Sequence, residues 1–117
     1  MITSPTIHNA VIIHKTYEFY LLLHKNVTIF PKIERYTLGQ KCENLALSFL
    51  TLLLRANQTK EFNRQKILFE ASNTLDLLKI LIRASKDIKA LPEKKCLTLQ
   101  ILIQEIGRML GGWIKSL

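Results

Sequence analysis

Chain-breaking residues are so sparse in this sequence that the order of its elements can be read from where they stand. Four glycines and three prolines occur in 117 residues, at Pro5, Pro31, Gly39, Pro92 and the cluster Gly107, Gly111 and Gly112. The long intervals between these marks suit helices and exceed ordinary strands. The β-branched residues are mostly isoleucines set among Leu, Lys, Glu, Gln and Ala, and no Asn-Gly or Asp-Gly turn is present. Helix propensity therefore prevails over strand signals. The expected fold is all-α: an up-down antiparallel four-helix bundle forming one domain over residues 1–117, with 48% hydrophobic residues to fill its core.

The first helix is expected to begin after Ser4-Pro5, with serine as cap and proline at the first helical position, and to run to about Thr28. Residues 30–36 then read as a loop. Thr37-Leu38-Gly39-Gln40 has capping-box spacing and starts a second helix that reaches about Ala56. Asn57-Gln58-Thr59 interrupts the pattern. A third helix runs from Lys60 or Asn63 to Lys89, and Leu91-Pro92 precedes the fourth.

Winding these segments at about 100° per residue separates their faces. In the fourth helix Leu99, Ile103, Ile106, Leu110, Trp113 and Leu117 fall within roughly 40° of one line, the seam of a bundle helix. The second helix has two apolar lines. Leu38, Leu45, Phe49, Leu52 and Ala56 form one, and Leu47, Leu50 and Leu54 form the other, beside a narrow polar strip of Lys41, Asn44, Ser48, Thr51 and Arg55. The third repeats this, with Ala71, Leu75, Leu78 and Ile82 on one line and Leu77, Leu81, Ala84 and Ile88 away from it. One bundle covers one face of each helix, so the second faces imply a homo-oligomer.

Seventeen Lys and Arg against nine Asp and Glu give a formal net charge of +8, attractive to nucleic acid, acidic protein or anionic membrane. Lys79, Arg83 and Lys86 recur at i, i+4 and i+7, which reads either as a track for phosphates or as a solvated face pairing with Asp76 and Asp87. A second basic group surrounds Phe30 to Tyr36, where Lys32 and Arg35 lie beside aromatics, with Lys25 before and Lys41 after. Arginine beside an aromatic ring suits single-stranded nucleic acid. Equally, Phe30 and Tyr36 can pin the segment to the bundle while Arg35 caps a carbonyl. Gly107 and Gly111 make a G-x-x-x-G pair at which another helix can approach closely, with Arg108 pointing opposite the Leu110/Trp113 seam.

Catalysis is not indicated. His8, His14 and His24 lack ligand spacing, Cys42 and Cys96 form no CxxC, and no phosphate loop or nucleophile elbow occurs. The sequence calls for no metal and no cofactor. Two isolated cysteines and the absence of a signal-peptide pattern suit a reducing cytoplasm. The apolar stretch from Leu45 to Leu54 is ten residues long, too short to span a bilayer, and membrane association is not expected.

Two segments, Phe30-Pro31-Lys32-Ile33-Glu34-Arg35-Tyr36-Thr37-Leu38-Gly39-Gln40-Lys41 and Glu105-Ile106-Gly107-Arg108-Met109-Leu110-Gly111-Gly112-Trp113-Ile114, together with the turn at residues 56–60, resemble the Avd family, the accessory variability determinant proteins of bacterial diversity-generating retroelements. The resemblance implies a basic four-helix bundle assembled as a cyclic homopentamer. It also implies a non-catalytic partner of the element's reverse transcriptase that binds RNA or DNA and supports adenine-mutagenic cDNA synthesis. Lys32, Arg35, Lys41, Lys79, Arg83, Lys86 and Arg108 would hold nucleic acid or polymerase, while Pro31, Tyr36, Gly39, Gly107, Gly111, Gly112 and Trp113 would shape the bundle. The neighbouring relatives are the four-helix-bundle proteins encoded in intervening sequences of large-subunit ribosomal RNA genes. They are the alternative, with a stand-alone scaffolding oligomer as the plainer one.

Overall fold

The computed structural model describes residues 4–117, with side chains from Asn9 onward except that of Glu61. Four helices and no strand are found among the described residues. Helix α1 is Ser4–Val27; the expected capping by Ser4 and placement of Pro5 concern side chains outside the described residues. Helix α2 covers residues 32–57 as an α-helical turn Lys32–Glu34, a π turn Arg35–Gly39 and an α-helix Gln40–Asn57 that run into one another. Helices α3, Glu61–Asp87, and α4, Glu93–Lys115, complete the chain.

The helices meet as sequential neighbours, α1 with α2, α2 with α3 and α3 with α4, and α4 closes the square against α1. Short links at residues 28–31, 58–60 and 88–92 require antiparallel neighbours. The result is an up-down bundle of 48 × 21 × 18 Å.

Each helix contributes one buried stripe. Ile12, Phe19, Leu23 and Val27 come from α1, and Cys42, Ala46, Phe49, Leu53 and Ala56 from α2. Leu68, Ala71, Leu75, Leu78 and Ile82 come from α3, with Cys96, Leu99, Ile103, Ile106, Leu110 and Trp113 from α4. Burying each large side chain is worth about 1.5–3 kcal/mol. The expected seam of α4 is thus present except for Leu117, which lies exposed beyond the helix end at Lys115. On α2, Leu38 and Leu45 are half-buried, at the edge of the core rather than within it. Of the second faces of α2 and α3, Leu47, Leu54, Leu77 and Ile88 are exposed, whereas Leu50, Leu81 and Ala84 are half-buried, Leu81 packing against the core.

The first link departs from expectation. Residues 30–36 are not a loop: the chain turns helical at Lys32, directly after Pro31, whose φ of −54° and ψ of 149° place it at the helix boundary. A residue without an N–H suits that position, where the donor would have no partner. The capping box at residues 37–40 does not form, because Thr37 already lies inside the helix and its hydroxyl donates back to the Ile33 carbonyl at 3.0 Å. Phe30 is buried and pins the link, whereas Tyr36 is 61% exposed and pins nothing.

Gly39, at the end of the π turn, is buried where α2 meets α1. A Cβ there would stand 2.7 Å from Val27 Cγ1 and 3.4 Å from the Phe30 ring. Gly111 and Gly112 differ, since a Cβ at either would meet nothing within 4 Å. The close approach expected at Gly111 therefore does not occur within the chain. Gly107 faces α3, where an added Cβ would lie 3.2 Å from Lys79 Nζ.

These contacts predict opposite signs for one substitution. Gly39→Ala should lower the unfolding free energy by about 1–3 kcal/mol through overpacking, although alanine is the better helix former. Gly111→Ala and Gly112→Ala should each raise it by about 0.5–1 kcal/mol. Urea unfolding of the three variants checks this, and a stabilised Gly39→Ala would refute the tight joint.

Candidate functional site

The up-down course brings the α1–α2 and α3–α4 links to the same end of the bundle, where Ile29, Pro31 and Pro92 line one depression together with Lys86, Lys89, Asp87 and Glu93. Residues 24–40 and 84–96, which build this end, hold seven Lys and Arg against three Asp and Glu. That difference, seven minus three, is a net +4 out of the +8 of the whole chain. Two helix N-termini and two C-termini meet here, so their dipoles largely cancel and side chains set the sign of the field.

The sequence-derived cations divide between this end and the flanks. Lys32 is exposed at the start of α2, and Lys86 lines the depression at the end of α3. Arg35 is half-buried and donates from Nη2 to the Phe30 carbonyl at 3.2 Å, while its Nε has no partner. Its guanidinium carbon lies 6.0 Å from the Tyr36 ring centre, so the exposed tyrosine carries a cation on one side. Lys79 and Arg83 face the groove between α3 and α4, where Arg83 Nε lies 3.9 Å from Asp87 in an exposed i,i+4 pair. Lys41 is exposed on α2 and continues the polar strip whose Asn44, Ser48 and Arg55 line a different groove, between α2 and α3. Arg108 is exposed on the outer face of α4, beyond Gly107. The seven cations therefore do not form one patch.

Other cations are engaged within the bundle. Arg64 Nε donates to the carbonyls of Ala56 at 3.0 Å and Thr59 at 2.9 Å, closing the second link, and Lys15 reaches Glu105 at 3.2 Å to tie α1 to α4. Between α1 and α2, Glu43 accepts from Tyr20 at 3.4 Å and lies 2.9 Å from His24 Nδ1. These residues set helix register and are not free to meet a ligand.

Sequence reasoning missed Lys89, Lys94 and Lys95. They belong to a run of five cations between positions 83 and 95, dense enough to have been noticed. Lys89 is also conformationally unusual, with φ of 64°. It is the left-handed residue that ends α3, its N–H bonded to the Lys86 carbonyl at 2.9 Å and that of Ala90 to Ser85 at 2.8 Å. Glycine ordinarily fills this position, and a side chain there costs about 1 kcal/mol. A lysine there also places its cation at the C-terminal end of α3, where the helix dipole favours positive charge.

Nucleophilic chemistry finds no footing in the thiols. Burial, and after it the Glu43 carboxylate, pushes the Cys42 thiol from 9.0 up to about 12. Burial raises Cys96 as well. No cluster of three or more His, Cys, Asp or Glu with metal-binding geometry occurs among the described residues. Nor is any helix among them long and apolar enough to cross a membrane.

Two measurements follow from this geometry. Because the fold favours the neutral Cys42 thiol while the unfolded chain ionises it near its ordinary value of 9.0, stability should fall as pH rises from 9 toward about 12. Denaturant unfolding across that range should show a decline that Cys42→Ala flattens. Lys89→Gly should raise stability by about 1 kcal/mol yet weaken binding to single-stranded RNA and reduce the slope of log K against log salt by about 0.7. An unchanged salt slope would show that Lys89 meets no phosphate.

A family model described as bAvd-like matches residues 10–117, which is nearly the whole bundle. No curated protein matches the chain.

Proposed function

We propose that this chain, which belongs to the bAvd-like family, is a non-catalytic accessory protein of a diversity-generating retroelement. In this reading it binds the element's reverse transcriptase and its RNA or cDNA and supports adenine-mutagenic cDNA synthesis, with the polymerase active site on the partner. The observation that carries the reading is the family match across residues 10–117, which includes both segments 30–41 and 105–114.

The geometry supports an adaptor. The bundle end with net +4 offers Lys32, Lys86, Lys89, Lys94 and Lys95 to a phosphate backbone, and Tyr36 to a base. A flexible polyanion needs spaced, solvated cations rather than a deep pocket. The working setting is the cytoplasm, where two buried free thiols stay reduced.

The functional unit in this proposal is a ring of copies, a homopentamer. Leu47 and Leu54 on α2 and Phe62, Phe69, Leu77 and Ile88 on α3 are exposed, with Phe62 at 80%. Two different apolar faces on one subunit suit a head-to-tail interface, which closes into a ring when its rotation permits. Gly111 and Gly112, with open space above them, leave a further stretch of α4 backbone accessible to a partner.

Co-expression with the reverse transcriptase encoded beside the gene tests this reading. The polymerase should co-purify at moderate salt and dissociate as salt rises, and native mass spectrometry of the protein alone should give about five times 13.5 kDa. A ring that captures neither polymerase nor RNA would instead indicate the scaffolding role.

A further inference from the structure

Between α3 and the first half of α4, Ile80, Leu97 and Ile101 stand 63%, 54% and 57% exposed. They border a groove of about 360 Å³ whose polar lining is Lys79, Arg83, Gln100 and Gln104, with no carboxylate and no aromatic ring. This composition differs from that of the bundle end. Aliphatic side chains offer no π face to a base and gain little from a phosphodiester. They are stabilised by burial against other apolar groups. An occupant must therefore present apolar side chains flanked by negative charge.

A second copy of the chain does not meet that description. No two of its nine carboxylates stand three, four or seven positions apart, so no helix presents Asp or Glu on adjacent turns of one face. The cations, by contrast, are ready for an acidic visitor. Lys79 is half-buried with its Nζ laid over Gly107, where an added Cβ would come within 3.2 Å of it. Arg83 holds Asp87 at 3.9 Å in an exposed pair that exchanges readily.

We propose that the α3/α4 groove docks an acidic amphipathic helix of a partner polypeptide. Its apolar stripe lies on Ile80, Leu97 and Ile101, and its carboxylates meet Lys79 and Arg83. This is helix-in-groove recognition, with anchors at i, i+3/i+4 and i+7. It rests on the accessory reading, in which that polypeptide is the polymerase, and it assigns nucleic acid to the bundle end.

The probe is a synthetic twenty-residue helical peptide with leucines at i, i+3, i+4 and i+7 and glutamates on both flanks, titrated by fluorescence anisotropy against the full chain. A scrambled peptide of equal charge should bind at least tenfold more weakly. The double variant Ile80→Ser/Ile101→Ser, which alters two exposed side chains, should lose at least tenfold in peptide affinity and stay within twofold of the parent for a single-stranded RNA oligonucleotide. Equal affinity for both peptides, or parallel loss of peptide and RNA binding, overturns the groove assignment. So does a change of oligomeric mass in the double variant, which would place a second copy in the groove. No polymerase enters this assay, so its result stands apart from the co-purification that tests the accessory reading.

Discussion

The contact of Gly39 with the Val27 and Phe30 side chains, with no room for a Cβ, sets how α1 and α2 meet. A Cβ there, 2.7 Å from Val27 Cγ1, would force the neighbouring side chain or backbone to shift. Phe30 is buried by the same contact, which fixes Pro31 as the boundary of α2 and holds Lys32, Arg35 and Tyr36 at the bundle end. The π turn that ends at Gly39 is part of this joint. Close-packed cores transmit such constraints because they have no slack to absorb them. At the same end of the bundle the Ser85 carbonyl accepts from Ala90 and Leu91, so the third link is fixed with comparable economy.

Most of the architecture was legible because it rests on periodicity. The stripe Leu99, Ile103, Ile106, Leu110 and Trp113 is buried as its spacing requires, as is Ala71, Leu75, Leu78 and Ile82, and the opposing Leu47 and Leu54 are exposed. The first link was misread because the capping-box residues have more than one use. A threonine hydroxyl inside a helix bonds a carbonyl one turn back, and spacing alone does not separate that use from a cap. The missed core positions Cys42, Ala46 and Leu53 lie beside the line of Phe49 and Ala56. Cys42 and Ala46 are small and contribute little to a hydrophobic pattern, and Leu53 stands in the run Leu52-Leu53-Leu54, where identity alone does not say which leucine is inside.

The candidate site was legible in part. Charge and the pairing of Lys32 and Arg35 with aromatics directed attention to the first link, but Arg35 turned out to hold the Phe30 carbonyl. The grouping of Lys86 and Lys89 with Pro31 depends on both links meeting at one end, a consequence of topology rather than of any local motif. Lys79, Arg83 and Lys86 look like one stripe on a helical wheel. In the bundle Lys79 and Arg83 border an aliphatic groove, while Lys86 lines the loop-end depression beside Lys89, Asp87 and Glu93, so one stripe serves two environments. Folding thus sorts a chain's cations into those that brace the helices, those that border apolar surface and those left to solvent.

The central claim is that the loop end of the bundle is where nucleic acid lies. Photocrosslinking of a 4-thiouridine-substituted single-stranded RNA, followed by mass spectrometric mapping of the modified peptides, measures this directly. The account predicts crosslinks at Tyr36 and in the peptides containing Lys32, Lys89, Lys94 and Lys95, with the groove residues Ile80 and Ile101 unmodified. Crosslinks concentrated along the α3/α4 groove, with none at the loop end, would contradict it.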